Sequence, residues 1–190
     1  MISLFALLLQ AAAPAPAPTP APAPAPAATP TPTPVAPWTP VMRGDAASGT
    51  LSSSLYVFSR TPGSRLAVRC DARVDRVVSL QFRAAGDLGA GPVRPVSLII
   101  DGGTPLIANW EFISGIALER EDAAVTTITA ALAHAHEIKL HTTNLAGESI
   151  DAVFDGPPSD AGLTQVLAVC GYTLGTQPVR TPAPAPTPGQ

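Results

Sequence analysis

Arg65-Leu-Ala-Val-Arg-Cys-Asp71 and Val77-Val-Ser-Leu-Gln-Phe-Arg83 are the segments whose reading decides the fold. In the first, Leu66, Val68 and Cys70 alternate with Arg65, Ala67 and Arg69. In the second, Val78, Leu80 and Phe82 alternate with Val77, Ser79, Gln81 and Arg83. Successive side chains of a strand point to opposite faces, so each segment reads as a half-buried strand. One face is apolar and the other carries arginine.

The same period continues outward. Val96, Leu98 and Ile100 form a further apolar face that ends at Asp101-Gly102-Gly103. Trp110 and Phe112 face away from Asn109 and Glu111, and Ile116 and Leu118 follow the Ser114-Gly115 turn. The period then changes. Val125, Ile128 and Leu132 lie at i, i+3 and i+7, which is the stripe of a short amphipathic helix, with Glu121 and Asp122 at its positive end. Alternation resumes at Ile138 and Leu140 and again at Ile150, Ala152 and Phe154, and Asp155-Gly-Pro-Pro158 stops it. Ser159 or Asp160 is placed to cap a last helix with the stripe Leu163, Val166, Leu167 and Cys170. Ser52 to Phe58 reads as an edge strand. This order predicts an α+β fold: an antiparallel β-sheet or sandwich with two short helices packed on it, flanked by disordered Ala/Pro-rich tracts.

Four segments follow from composition. Residues 1–13 are an apolar run followed by small residues. That is shorter than the roughly 20 residues of a spanning helix, with A-x-A-like sites at Ala11, Ala13, Ala15 and Ala17. They read as a signal peptide, atypical in having no Lys or Arg before Arg43. Residues 14–37 hold 11 of the 23 prolines. Proline blocks both helix and sheet, so this tract is expected as a polyproline II spacer reaching on the order of 70 Å. Residues 38–177 form one domain with room for a real core, and 178–190 repeat the Pro-rich composition as a tail. The expected location is periplasmic or secreted, with no stable membrane span.

That compartment bears on the two cysteines. Cys70 shares an apolar strand face with Leu66 and Val68, and Cys170 lies on the apolar stripe of the last helix, so both point toward one interior. In an exported protein an even cysteine count favours a Cys70–Cys170 disulfide, and the alternative is two separate buried thiols. There is no Cys-x-x-Cys, so redox catalysis and a cysteine-based zinc site gain no support.

Several of these segments together resemble a known family: Leu66-Ala-Val-Arg-Cys70-Asp71, Val96-Ser-Leu-Ile-Ile-Asp101, Trp110, and Phe154-Asp-Gly with Leu163 and Val169-Cys170-Gly-Tyr172. Over about Leu55 to Tyr172 the chain is similar to small exported bacterial proteins associated with type VI secretion as accessory periplasmic components. It departs from their pattern at Pro157-Pro158 and at Tyr172, where Trp is more usual. The resemblance implies a β-rich domain with a closing helix and paired cysteines, a periplasmic location and a secretion-associated role. It supplies no catalytic residue.

Charge and motifs narrow the function. The net charge of −3 is too mild to point to nucleic acid. It is unevenly spread: residues 38–100 hold eight arginines against four acids, and residues 101–177 hold two basic residues against ten acids. His134, His136 and His141 lie close in sequence and could suggest zinc. Their expected positions, at a helix end and on opposite strand faces, do not converge, so no metal or other cofactor is expected. Asp101-Gly102-Gly103-Thr104 is similar to the Asp-Thr/Ser-Gly turn of aspartic proteases, but Gly occupies the hydroxyl position and there is no second copy. A Gly-rich hairpin turn is the plainer reading. There is no G-x-S-x-G elbow, phosphate loop or dinucleotide fingerprint.

The arginines remain. Arg65, Arg69 and Arg83 are expected on one outer surface, available to an anionic envelope component or an acidic protein face. The competing reading is a solvated face paired with the acids of the C-terminal half. The expected function is therefore a non-enzymatic exported binding or accessory domain of the bacterial cell envelope. A small hydrolase with a cryptic site is the alternative.

Overall fold

A computed structural model describes residues 37–45, 47–49, 51–73 and 76–179. The signal-like segment, the spacer up to residue 36 and the tail from residue 180 lie outside the described residues. Among the described residues nine strands form: β1 (Thr39–Arg43), β2 (Ser52–Phe58), β3 (Arg65–Asp71), β4 (Val77–Arg83), β5 (Gly91–Ile100), β6 (Leu106–Ile113), β7 (Ile116–Glu119), β8 (Glu137–Thr143) and β9 (Ser149–Asp155). Two helices join them, α1 (Asp122–Leu132) and α2 (Ala161–Val169). Of the two arrangements the alternation allowed, the chain adopts the single sheet, antiparallel throughout and in the order β1-β2-β3-β4-β7-β6-β5-β8-β9. It curls into a half-barrel with the apolar face inside.

The expected faces hold. Leu66, Val68, Cys70, Val78, Leu80 and Phe82 are all fully buried, and Val125, Ile128 and Leu132 of α1 with Leu163, Val166 and Leu167 of α2 complete the core. Cys70 and Cys170 form a disulfide, with Cα atoms 5.8 Å apart across 100 residues of sequence. It ties the C-terminal end of α2 to β3. The Glu121 carboxylate caps α1 by accepting from the N–H groups of Ala123 (3.1 Å) and Ala124 (2.7 Å). Asp160 occupies the N-cap position of α2, but its side chain makes no capping bond. That helix is held by its buried face and the disulfide.

Two features differ from the sequence reading. The segment Ser52–Phe58 is not an edge: β1 pairs with it from Thr39↔Tyr56 to Arg43↔Ser52 and takes the edge itself. An edge is where Pro40 is tolerated, since its missing N–H can face away from the ladder. β5 begins earlier than its apolar alternation, because a register shift between Gly91 and Arg94 interrupts the pattern. Its inner face consequently includes Arg94.

The curl brings the β2–β3 turn against β9. The Arg60 N–H donates to the Val153 carbonyl at 2.8 Å. The Arg60 guanidinium donates to Asp155 (2.9 and 2.7 Å) and to Glu137 (2.6 Å). Trp38 Nε1, just before β1, donates to the Asp155 carbonyl at 2.8 Å. Among the described residues no helix is long and apolar enough to cross a membrane.

Candidate functional site

The outer face of β2, β3 and β4 carries the side chains that the inner face excludes. Along β3 these are Arg65, Ala67, Arg69 and Asp71. The register sets Ala67 between Tyr56 of β2 and Gln81 of β4, and Arg69 between Ser54 and Ser79. Ala67 is much shorter than its neighbours, so the surface dips over it. The result is a concavity of about 110 Å³. Ala67 is its floor. Arg65, Arg69, Tyr56 and Gln81 are its walls, and Arg43, Ser52 and Ser54 extend it toward β1.

Its electrostatics are positive. The Arg65 guanidinium carbon lies 5.4 Å from the Tyr56 ring centroid, which holds the charge at the rim through a cation–π contact. Arg69 is bound through Nε (3.0 Å) and Nη2 (2.7 Å) to Asp71, two residues along the same face. Arg43 and Arg65 make no ion pair among the described residues. The concavity thus presents three guanidinium groups against one flanking carboxylate, with hydroxyl and amide groups between them. Such a surface can hold a carboxylate or phosphate by charge-assisted hydrogen bonds and a ring against Tyr56.

Of the three arginines expected together, Arg65 and Arg69 line the concavity. Arg83 shares the outer face and sits directly across from Arg65, but outside the dip. Neutralisation by the C-terminal acids does occur, at a different arginine. Arg60 is the one that reaches Glu137 and Asp155, and hydrogen bonds first to Asp155 and then to Glu137 raise its pKa. The carboxyl of Glu137 is held below the ordinary glutamate value by hydrogen bonds to Lys139 and Arg60. Sequence reasoning missed Arg43, Ser52, Ser54, Tyr56 and Gln81 as site residues. The polar alternation Ser52, Ser54, Tyr56 opposite Ser53, Leu55, Val57 is the signal that points to them.

No family model matches the chain, and no curated protein matches it. Among solved structures, the crystal structure of invasion associated protein B from Bartonella henselae aligns with 72% of this chain and 92% of that chain. The identity is 16% and the TM-score 0.41.

The histidines are dispersed. His134 directly follows Ala133, the C-cap of α1, at the helix end where the spacing placed it. His136 precedes β8 and is exposed, with Nδ1 3.4 Å from Asp101, while His141 is on the outer face of β8 with Nδ1 2.8 Å from Asp151. The Asp101-Gly-Gly segment is the hairpin turn between β5 and β6. The Asp101 carboxylate accepts the backbone N–H groups of His136 (2.9 Å) and Glu137 (2.7 Å), which ties that turn to the start of β8.

Proposed function

We propose that the chain is an exported, non-enzymatic binding domain of the bacterial cell envelope, and that its outer β2–β4 face takes an acidic glycan. The observation that supports this is the convergence of Arg43, Arg65 and Arg69 with Tyr56 around a concavity floored by Ala67. An acidic sugar supplies what that surface lacks: negative charge for the guanidinium groups, hydroxyls for Ser52, Ser54 and Gln81, and a ring for Tyr56. Export fits the Cys70–Cys170 disulfide, since such bonds persist in oxidising compartments. A secretion-associated accessory role, drawn from the resemblance to type VI secretion components, belongs to the same reading.

Titration calorimetry with an oligogalacturonate against a neutral oligosaccharide of equal length tests the site. Binding of the acidic ligand is expected to weaken at least tenfold in R43Q/R65Q and to fall with added salt. Mass spectrometry is expected to recover the ligand uncut. Equal binding of the neutral sugar, indifference to the double substitution, or cleavage of the ligand overturns the reading.

A further inference from the structure

Arg94 is an anomaly on the inner face. Its parity follows Val96 and Leu98, which are fully buried. Its guanidinium carbon stacks 3.6 Å from the Phe112 ring centroid, and Nη2 donates to the Leu88 carbonyl at 2.8 Å. Nε and Nη1 are buried and have no acceptor. Directly across the β5–β6 ladder is Trp110, which is fully buried, and its Nε1 also has no acceptor. Trp38, the chain's other tryptophan, has its Nε1 bonded to the Asp155 carbonyl. The lack of a partner is therefore peculiar to the inner site.

Three buried donors thus belong to two side chains that are cross-strand neighbours on one face. None of the three can accept a hydrogen bond. A buried guanidinium without a counter-charge is costly, and a cation–π contact with one carbonyl only partly offsets that. The nearest inward carboxylate in this row does not neutralise it. Continuing the β6–β7 register by one residue places Glu119 on the far side of Trp110, where its carboxylate accepts the Glu121 N–H at 2.8 Å. No ion pair forms between Arg94 and any acid among the described residues.

We propose that Arg94 and Trp110 form an internal binding site for a small monovalent anion of the halide class. The anion would accept from the Arg94 guanidinium and from Trp110 Nε1. An anion supplies the missing counter-charge for the guanidinium and an acceptor for donors on both side chains. The site is separate from the outer concavity: Arg94 and Trp110 face the interior, and Arg43, Arg65 and Arg69 face the solvent.

Trp110 makes the site observable. In W38F protein, where Trp110 is the only indole, iodide added at constant ionic strength balanced with sulfate is expected to quench emission along a saturating curve. Chloride is expected to compete with iodide. R94M, which keeps an apolar side chain over Phe112, is expected to retain only linear, collisional quenching. A second measurement needs no substitution: the chlorine-35 linewidth in the presence of the unaltered protein is expected to broaden and to be narrowed by bromide. Linear quenching of equal slope with and without Arg94, or a linewidth that bromide leaves unchanged, overturns the proposal. Water satisfying the same donors would produce those two results.

Discussion

Glu119 sits on the inner face of β7, where burial lifts its carboxyl pKa above the ordinary value of 4.5 and the Glu121 and Arg120 N–H groups only partly oppose that lift. The sign of the effect follows from proton counting. Between 4.5 and the higher folded value, the folded chain holds more protons than the unfolded chain, so stability falls as pH rises through that window. Above the window the whole penalty is present. Glu119→Gln keeps an acceptor for the Glu121 N–H and removes the charge. The melting temperature of E119Q relative to the parent is therefore expected to rise between pH 4 and pH 7. A difference that stays flat across thermal melts in that range would show that the carboxylate is not strained by burial. Asp101 acts in the opposite sense. Its pKa is lowered, first by the Glu137 N–H and then by the His136 N–H, so its contribution is present above the ordinary 3.8 and is lost as pH falls through the folded value. Its φ of +49° is a conformation that Asp and Asn tolerate better than most residues, and this suits the same side chain to the turn.

Among the elements, α2 depends most on one covalent bond. It spans nine residues, its cap residue makes no side-chain bond, and its inner face is Leu163, Val166 and Leu167 packed near β2 and β3. A helix this short is marginal alone, so its order comes from the sheet beneath it. Closing a loop of 100 residues contributes up to about 4.7 kcal/mol in the chain-entropy account. The C70S/C170S double variant is expected to lose about 2–4 kcal/mol in urea unfolding. Amide protection over Ala161–Val169 should be lost before that of β8 and β9, as read by hydrogen exchange. Uniform loss of protection would mean the bond steadies the whole sheet and not this helix. Much at this scale was legible in the sequence. Leu66, Val68 and Cys70 announced their strand, and Val125, Ile128 and Leu132 their helix, because each buries one clean face. β1 was not legible: a five-residue edge containing Pro40 and an exposed Met42 buries too little to leave a periodic trace. The start of β5 was hidden by Pro92, Pro95 and the register shift, and with it the inward turn of Arg94. Arg65 and Arg69 were placed correctly because parity alone settles which face they share. Arg43 could not join them until β1 was known.

Over the whole described domain, the question alternation cannot answer is how far the sheet curls, since period two is the same in a flat and a curved strand. The curl is set by contacts between segments distant in sequence, Arg60 and Trp38 on one side and Asp155, Glu137 and Val153 on the other. Gly156, beside Asp155, continues the β8–β9 pairing past its last named pair. A Cβ at that position would lie 1.6 Å from the Ala135 carbonyl oxygen, and the Gly156 N–H donates to the His136 carbonyl at 2.8 Å. The bonds of Arg60 to its two carboxylates are charge-assisted but 39% of its side chain is exposed, so they are worth about 1 kcal/mol after solvent screening. The Trp38 bond to the Asp155 carbonyl is worth about 1 kcal/mol as well. Because both end on Asp155, each holds in place the residue that the other needs. R60M and W38F should each destabilise by about 1 kcal/mol in urea unfolding, and the double variant should deviate from their sum by at least about 0.5 kcal/mol. Strict additivity would mean that the two contacts hold separate parts of the edge, and that Asp155 is not the common point on which the curled sheet closes.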